Sequence, residues 1–335
     1  MKLRVVLFCL LTATVSCAGT VDVERDPKTN GQVYTLNQAN TTAKVIPEAG
    51  CNLFSFCVDD VEYLRVPDEL SRVPGVGFGT PILYPTPNRV RGAQFSFQGR
   101  RFHFPPNSAG NFIHGLVHSV AWRVTDSSVN DEQATLNVEL VFDAKMKGFD
   151  KFPLRHRIGL SITVASGSVR WVYSVDNSEG ATPVPFGFAL HPYFLYQGDR
   201  AKTFLTVPAT HWMKSEKQLP SGELVPLGQT PFDLRKPISF GQLKLDDVFF
   251  GMQPDKPVVV EFRDMKRRLV LESDEAFTHL VVYTPNQPFF CVENQTCSTD
   301  AHNLASAGKK REAHLQICPP GQVRKGWVRF MVETN

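Results

Sequence analysis

The chain has 335 residues, of which 42% are hydrophobic and 21% charged, so it can bury a sizeable core and is not intrinsically disordered. Its 36 basic and 33 acidic residues give a formal net charge of +3. So small an excess gives no reason to expect nucleic acid or an anionic membrane surface as a partner.

The first 18 residues are predicted to be an export signal. Lys2 and Arg4 form a basic start, and the apolar stretch Val5–Val15 that follows is too short to span a bilayer. Such a signal places the mature protein outside the cytoplasm, in the periplasm or the extracellular space.

Two ways of processing this signal remain open. Small residues allow a signal-peptidase cut after Ala18, and we favour simple secretion by this route. The run from Thr14 to Cys17 also resembles a bacterial lipobox, in which Cys17 would carry a lipid anchor. Thr14 departs from the aliphatic residue that is usual at its position in that motif.

The body of the chain alternates apolar and polar residues with a period of two, and helical periodicity hardly occurs. Leu136–Phe142 and Val169–Val175 show the alternation of strands with one buried face. Phe95–Phe97 and Phe102–Phe104 flank a turn with glycine, which is typical of a hairpin. The 24 prolines and 23 glycines fall largely between such runs, where they mark turns.

These patterns predict one domain, residues 31–335, preceded by a short linker, residues 19–30. No repeat or change of composition divides the longer segment. That many antiparallel strands in one chain require two packed sheets. We therefore predict an all-β fold, a large antiparallel β-sandwich.

The cysteines predict neither a disulfide framework nor a metal site. Of the seven, Cys9 and Cys17 fall in the export signal, and the odd number that remains contains no C-x-x-C pair. Cys51 and Cys57 lie six residues apart in one predicted strand, about 20 Å and beyond disulfide reach. We expect most of them to be buried thiols, and we predict no metal or other cofactor.

Two loop segments carry candidate binding residues. A proline-bounded run ends in Asn88 and Arg89, whose guanidinium offers a fork of donors suited to paired hydroxyls or to a carboxylate. His114 ends a loop rich in proline and glycine, and Gly115 allows a close approach to its backbone.

A third segment, Pro183–Phe194, holds His191 in an apolar, aromatic run that includes Tyr193. Pro192 biases His191 toward an extended conformation, and Gly187 permits a backbone torsion or a contact that a side chain would forbid. A histidine held in this way suits proton transfer to a ring-shaped substrate.

Two acidic positions complete the set. Asp246 and Asp247 precede an aromatic strand, and adjacent strand residues face opposite ways, so only one of them can point into a given pocket. Glu293 ends a strand of apolar residues, where partial desolvation should raise the pKa of its carboxyl. Taken singly, each candidate also fits a structural role, such as a surface arginine, a core histidine or a turn aspartate.

The order and spacing of these segments resemble the aldose 1-epimerase family, the galactose mutarotase-like proteins. The resemblance covers roughly residues 35–335 and is carried by Pro-Asn-Arg at 87–89, His-Gly at 114–115, His-Pro-Tyr-Phe at 191–194, Leu-Asp-Asp-Val-Phe at 245–249 and Val-Glu at 292–293. It implies a β-sandwich of the galactose mutarotase type that holds a sugar in a cleft across one sheet.

The resemblance also implies roles. Glu293 matches the general base of the family and His191 its general acid. Arg89, His114 and Asp246 match residues that bind the sugar, and Asp247 takes the place of Asp246 if the strand register differs by one residue. Asn88 is included among the substrate-binding positions, and Tyr193 and Phe194 would line the site.

The same residues account for mutarotation chemically. A hemiacetal ring opens when a base removes the proton of O1 while an acid protonates the ring oxygen, and groups on opposite sides of the sugar can do this without metal or redox cofactor. One alternative is an exported carbohydrate-binding or sensing protein of the same fold without turnover, which would not need a matched acid and base. A glycoside hydrolase would use two carboxylates and leave His191 without a role. A mutarotase for phosphorylated hexoses fits poorly with export.

Overall fold

A computed structural model describes residues 19–334 of the chain. The predicted export signal, with Cys17, lies outside the described residues. Within them, no helix is long and apolar enough to cross a membrane.

The first half of the described chain consists of strands joined by turns. In chain order these strands are β1 (Thr20–Arg25), β2 (Gln32–Gln38), β3 (Thr41–Ile46), β4 (Asn52–Val58), β5 (Val61–Glu62), β6 (Ile82–Leu83), β7 (Arg89–Val90), β8 (Gln94–Phe97), β9 (Arg100–His103), β10 (Phe112–Ile113), β11 (Arg123–Val129), β12 (Gln133–Phe142), β13 (His156–Ala165) and β14 (Ser168–Asp176).

The second half adds strands and two short helices. The strands are β15 (Val184–Phe186), β16 (Ala189–Leu190), β17 (Phe194–Leu195), β18 (Thr203–Thr206), β19 (His211–Glu216), β20 (Leu219–Pro226), β21 (Ile238–Ser239), β22 (Asp246–Phe250), β23 (Val258–Phe262), β24 (Arg267–Ser273), β25 (His279–Tyr283), β26 (Phe289–Gln295), β27 (Gln316–Cys318) and β28 (Val323–Thr334). The helices are α1 (Ala301–Ser306) and α2 (Lys310–Ala313).

Two large antiparallel sheets form the body of the protein. One has nine strands in the order β11-β12-β13-β14-β28-β24-β23-β18-β21, and the other has eight, in the order β20-β19-β22-β25-β26-β16-β6 with β17 also paired to β26. A five-stranded sheet, β1 to β5, lies beside them, and the pairs β7 with β10, β8 with β9, and β15 with β27 complete the strands.

The inner faces of the two large sheets share one apolar core. Phe290 of β26 lies 6.5 Å from Phe262 of β23, and Phe194 of β17 lies 5.2 Å from Phe330 of β28, measured between ring centroids. Along β12, burial alternates residue by residue, as its sequence pattern predicts. The predicted β-sandwich is therefore confirmed.

Three local features differ from or refine the sequence predictions. The linker predicted over residues 19–30 is wrong for its first half, because β1 pairs antiparallel with β2 along its full length. Helices α1 and α2 were not predicted, since six and four residues are too few to show a helical period. The predicted hairpin is confirmed, with Phe95 opposite Phe102 and positive φ angles at Gln98 and Gly99.

Acid should destabilise the fold through three buried histidines that lie outside the pocket described below. Burial lowers the pKa of His156 and His302 to about 4 and that of His279 to about 3. Between about pH 6.5 and pH 4 the unfolded chain therefore binds more protons at these sites than the folded protein does. The free energy of unfolding should fall on acidification by about 1.4 kcal/mol per pH unit for each histidine.

Urea unfolding at pH 7 and pH 5 measures this loss. His302→Phe, which can keep the stack on Phe95, should reduce the pH dependence, whereas replacement of the exposed His103 by Asn should not change it. Equal urea midpoints at the two pH values for the wild type would contradict the prediction.

Candidate active site

Glu293 belongs to a strand, β26, of which one face packs into the main core and the other does not. In β26, Phe290 and Val292 belong to the main apolar core, so Cys291, Glu293 and Gln295 lie on the opposite face of the sheet. Val281 of β25 lies opposite Glu293 in the ladder. The alternation thus places a carboxyl on a face that the main core does not cover.

The neighbouring strands bring Asp246 to the same face. Asp246 of β22 pairs with Tyr283 of β25, which in turn pairs with Cys291. One end of this face is covered by α1 and α2, whose apolar residues pack with Val248 and Val281. The other end stays open and forms the floor of a pocket.

His191 enters the pocket from the segment before β17. Its backbone N–H donates to the carbonyl of Pro81 at 2.9 Å, and its ring stacks on Tyr193 at 4.6 Å between centroids. His191 Nε2 lies 3.5 Å from a carboxyl oxygen of Glu293. We expected acid and base groups on opposite sides of the sugar, but the structure places them side by side.

Gly187 explains how this segment reaches its position. A Cβ at Gly187 would lie 2.2 Å from Cys297 Sγ and 2.6 Å from Pro87 Cδ. Its backbone N–H donates to the carbonyl of Pro85 at 2.7 Å. The glycine is needed for this close approach between two segments that each carry a candidate residue.

Arg89 and Asn88 form a second wall. Asn88 has φ of +53°, and its Oδ1 accepts a hydrogen bond from Arg89 Nη1 at 3.1 Å. Arg89 Nη2 lies 3.8 Å from an Asp246 carboxyl oxygen. The Arg89 guanidinium is thus positioned between the Asn88 amide and the Asp246 carboxyl.

His114 reaches the pocket through a tight backbone contact. Gly115 has φ of +71°, and a Cβ there would lie 2.3 Å from the carbonyl oxygen of Tyr84. The ring of His114 meets that of His191 edge to face, with centroids 5.1 Å apart. His114 Nδ1 is buried and has no hydrogen-bond partner among the described residues.

The seven predicted site residues all line this one pocket, which has a volume of about 340 Å³ and falls in the size range of small-molecule sites. The lining is formed by Asn88, Arg89, Ile113, His114, His191, Tyr193, Gln218, Asp246, Tyr283 and Glu293. The prediction that Phe194 also lines the pocket is wrong. Phe194 packs in the main core, because adjacent residues such as Tyr193 and Phe194 face opposite ways.

Burial sets the protonation of the central pair. Desolvation, with a further contribution from Asp246, raises the pKa of Glu293 well above its usual value. Desolvation lowers the pKa of His191 to about 3. Both pKa shifts act in the same sense, toward the uncharged forms of the carboxyl and the imidazole.

Three residues of the site were missed in the sequence. Gln295 Nε2 donates to Glu293 Oε2 at 3.2 Å, and the i to i+2 rule for strands would have found it. Tyr283 comes from the adjacent strand β25, and Gln218 lies on the turn between β19 and β20. No local pattern marks these last two, because only strand pairing brings them to the pocket.

The structure also resolves the choice between the two aspartates. Asp246 faces the pocket, whereas Asp247 accepts a hydrogen bond from Trp212 Nε1 at 2.9 Å. If Asp246 has the sugar-binding role that the family resemblance implies, Asp246→Asn should raise KM by about 10- to 100-fold, the range of a charged hydrogen bond worth 1.5–3 kcal/mol. Asp247→Asn is the matched control, since it should affect stability and leave KM unchanged. Steady-state kinetics and urea unfolding of both variants measure this, and equal KM changes would contradict it.

Comparison with known proteins supports the family resemblance. The family model described as Aldose 1-epimerase matches residues 32–331. The uncharacterized protein YphB of Escherichia coli is 23% identical over 289 residues, which cover 82% of this chain and 92% of that protein. The galactose mutarotase of Mus musculus is 26% identical over 159 residues, covering 46% of this chain and 44% of that enzyme. This chain thus matches less than half the length of that enzyme.

Solved structures show the same fold. A galactose mutarotase-like protein from Clostridium acetobutylicum superposes with a TM-score of 0.84 at 18% identity, over 95% of this chain and 99% of that one. Galactose 1-epimerase from Lactobacillus acidophilus gives a TM-score of 0.75 at 18% identity, over 94% and 99% of the two chains. With a family model that matches residues 32–331, this chain belongs to the aldose 1-epimerase family.

Proposed function

We propose that the protein is a mutarotase, an aldose 1-epimerase that interconverts the α and β anomers of a free aldohexose by acid–base ring opening and closure. The observation that carries the proposal is the 3.5 Å separation of His191 Nε2 and Glu293 Oε1 in a pocket walled by Arg89 and Asp246. A protein that only binds sugar has no use for two proton-transfer groups at this distance.

The side-by-side arrangement fits the chemistry of a hemiacetal. O1 and the ring oxygen are both bonded to C1, so two groups that lie close together can reach both oxygens from one side of the ring. One group accepts the proton of O1 while the other donates a proton to the ring oxygen, and the C1–O5 bond breaks. Rotation about C1–C2 followed by the reverse transfers gives the other anomer.

The pair needs one proton between its two members. The pair has two states with the same number of protons: a carboxylate beside an imidazolium, and a carboxyl beside an imidazole. Ring opening converts one state into the other. Each state has no net charge, so a buried site can pass between them without gaining an uncompensated charge. Burial of Glu293 and His191 favours the uncharged form of the pair. Hydrogen bonds from sugar hydroxyls would stabilise the other form.

The remaining walls suit an uncharged sugar. Arg89 is the single arginine or lysine among the described residues that line the pocket, and Asp246 already lies 3.8 Å from it. A phosphorylated hexose would need further cations to offset its charge. Arg89, Asp246 and the neutral His114 instead offer donors and acceptors for hydroxyl groups.

Polarimetry tests the proposal. Freshly dissolved α-glucose or α-galactose should reach its equilibrium rotation faster with the protein than in buffer, after correction for spontaneous mutarotation. Calorimetry with the same sugars measures binding independently. Sugar binding without any change in the rate would favour the carbohydrate-binding alternative and reject the enzyme.

A further inference from the structure

Three side chains of the types that bind metal ions lie close together, and two of them, His191 and Glu293, line the pocket. One ligand atom from each of His191, Cys291 and Glu293 lies within 4.8 Å of the other two, and all three residues are buried. The proposed reaction uses His191 and Glu293 and gives no role to Cys291. Among residues 19–334, no other group of three histidine, cysteine or acidic side chains gathers this closely.

The spacing of two of the three ligand atoms suits a tetrahedral divalent ion, and the thiol of Cys291, within 4.8 Å of both, would have to move about 1 Å closer to complete the site. Zinc with nitrogen and oxygen ligands at about 2.0–2.2 Å places those atoms about 3.3 Å apart, and His191 Nε2 lies 3.5 Å from Glu293 Oε1. Gln295 donates to the other oxygen of Glu293, which leaves Oε1 free for a monodentate bond. Three protein ligands leave a fourth position, which here would face the pocket.

We propose that His191, Cys291 and Glu293 form an inhibitory site for a thiophilic divalent cation, with Zn²⁺ as the reference ion. The inference rests on the proposed function, because the ion occupies the two groups that would move protons. Thiolate and imidazole select zinc-like ions over Mg²⁺ and Ca²⁺, which prefer all-oxygen sites. Binding releases the protons of Cys291 and Glu293, so inhibition strengthens as pH rises.

Kinetics provide the first test. Zn²⁺ should inhibit mutarotation in competition with the sugar, a chelator should restore the rate, and Mg²⁺ should have no effect. Cys291→Ser should weaken the apparent Zn²⁺ affinity more than about 10-fold, with each variant compared with its own metal-free rate. Cys57→Ser is the matched control, because Cys57 is a free, more exposed thiol outside the pocket, and it should leave inhibition unchanged. Equal inhibition of Cys291→Ser and wild type would overturn the proposal.

Cobalt spectroscopy provides a test that needs no turnover. Co²⁺ should give a thiolate-to-cobalt charge-transfer band in wild type and in Cys57→Ser, and no such band in Cys291→Ser. Addition of glucose or galactose to the wild type should remove the band. If Cys291→Ser does not fold, two other measurements test the metal site. The band should be absent in Cys291→Ala, and sugar should displace the band of the wild type. A band displaced by sugar in a protein without mutarotase activity would uphold the metal site and reject the proposed function. A missing band, or one that sugar does not displace, would overturn the site.

Discussion

Glu293→Gln should lower kcat for mutarotation by about 10²- to 10⁴-fold with only a modest change in KM. The amide keeps the shape of the side chain and can still bond Gln295, which donates to Glu293 Oε2 at 3.2 Å. It cannot exchange a proton with O1 or with the ring oxygen. The expected loss is therefore a loss of proton transfer, measured by polarimetry over a range of sugar concentrations.

Arg89→Ala provides the contrast to this variant. The guanidinium lies beside Asp246. In the proposed function it holds sugar hydroxyls in the ground state and the transition state alike. Its removal should chiefly raise KM and leave kcat largely intact. If Glu293→Gln turned over like wild type, Glu293 would not be a proton-transfer group.

His191→Asn should also cost about 10²- to 10⁴-fold in kcat, because asparagine can hydrogen-bond the sugar but cannot exchange a proton. The double variant with Glu293→Gln should be little slower than either single variant, since the two groups act as one unit. His302→Asn, which replaces another buried histidine, is the control for the general effect of this substitution and should retain kcat. Losses that multiply in the double variant would contradict a shared proton.

The pH dependence of the wild type gives a second measure of His191. Activity requires one proton on the pair, and it is lost when acid protonates both groups. Burial lowers the pKa of His191 to about 3, so kcat/KM should not fall near the usual imidazole pKa of about 6.5 when the pH is lowered from 7 to 5. A fall centred between pH 6 and pH 7 would show that the imidazole of the free enzyme is solvated, contrary to its burial.

The residues that line the pocket could be predicted because they belong to segments with strong local constraints. Asn88 and Arg89 follow a run of prolines, His191 precedes a proline, and Glu293 follows an apolar run, although its strand continues to Gln295. These are short-range features, and all three segments reach the pocket in the structure. Their resemblance to one family supplied the expectation that they meet.

The sequence alone determined the all-β class, since the two-residue period of strands such as β12 and β13 is a local pattern. Only the tertiary structure decided which face of each strand meets the pocket. It placed Asp246 in the pocket and Asp247 against Trp212, buried Phe194 in the core, and paired β1 with β2. The reason is that strand order and register depend on contacts between distant segments, as when β28 inserts between β14 and β24. A shift of one residue in such a ladder exchanges the two faces without altering the local pattern.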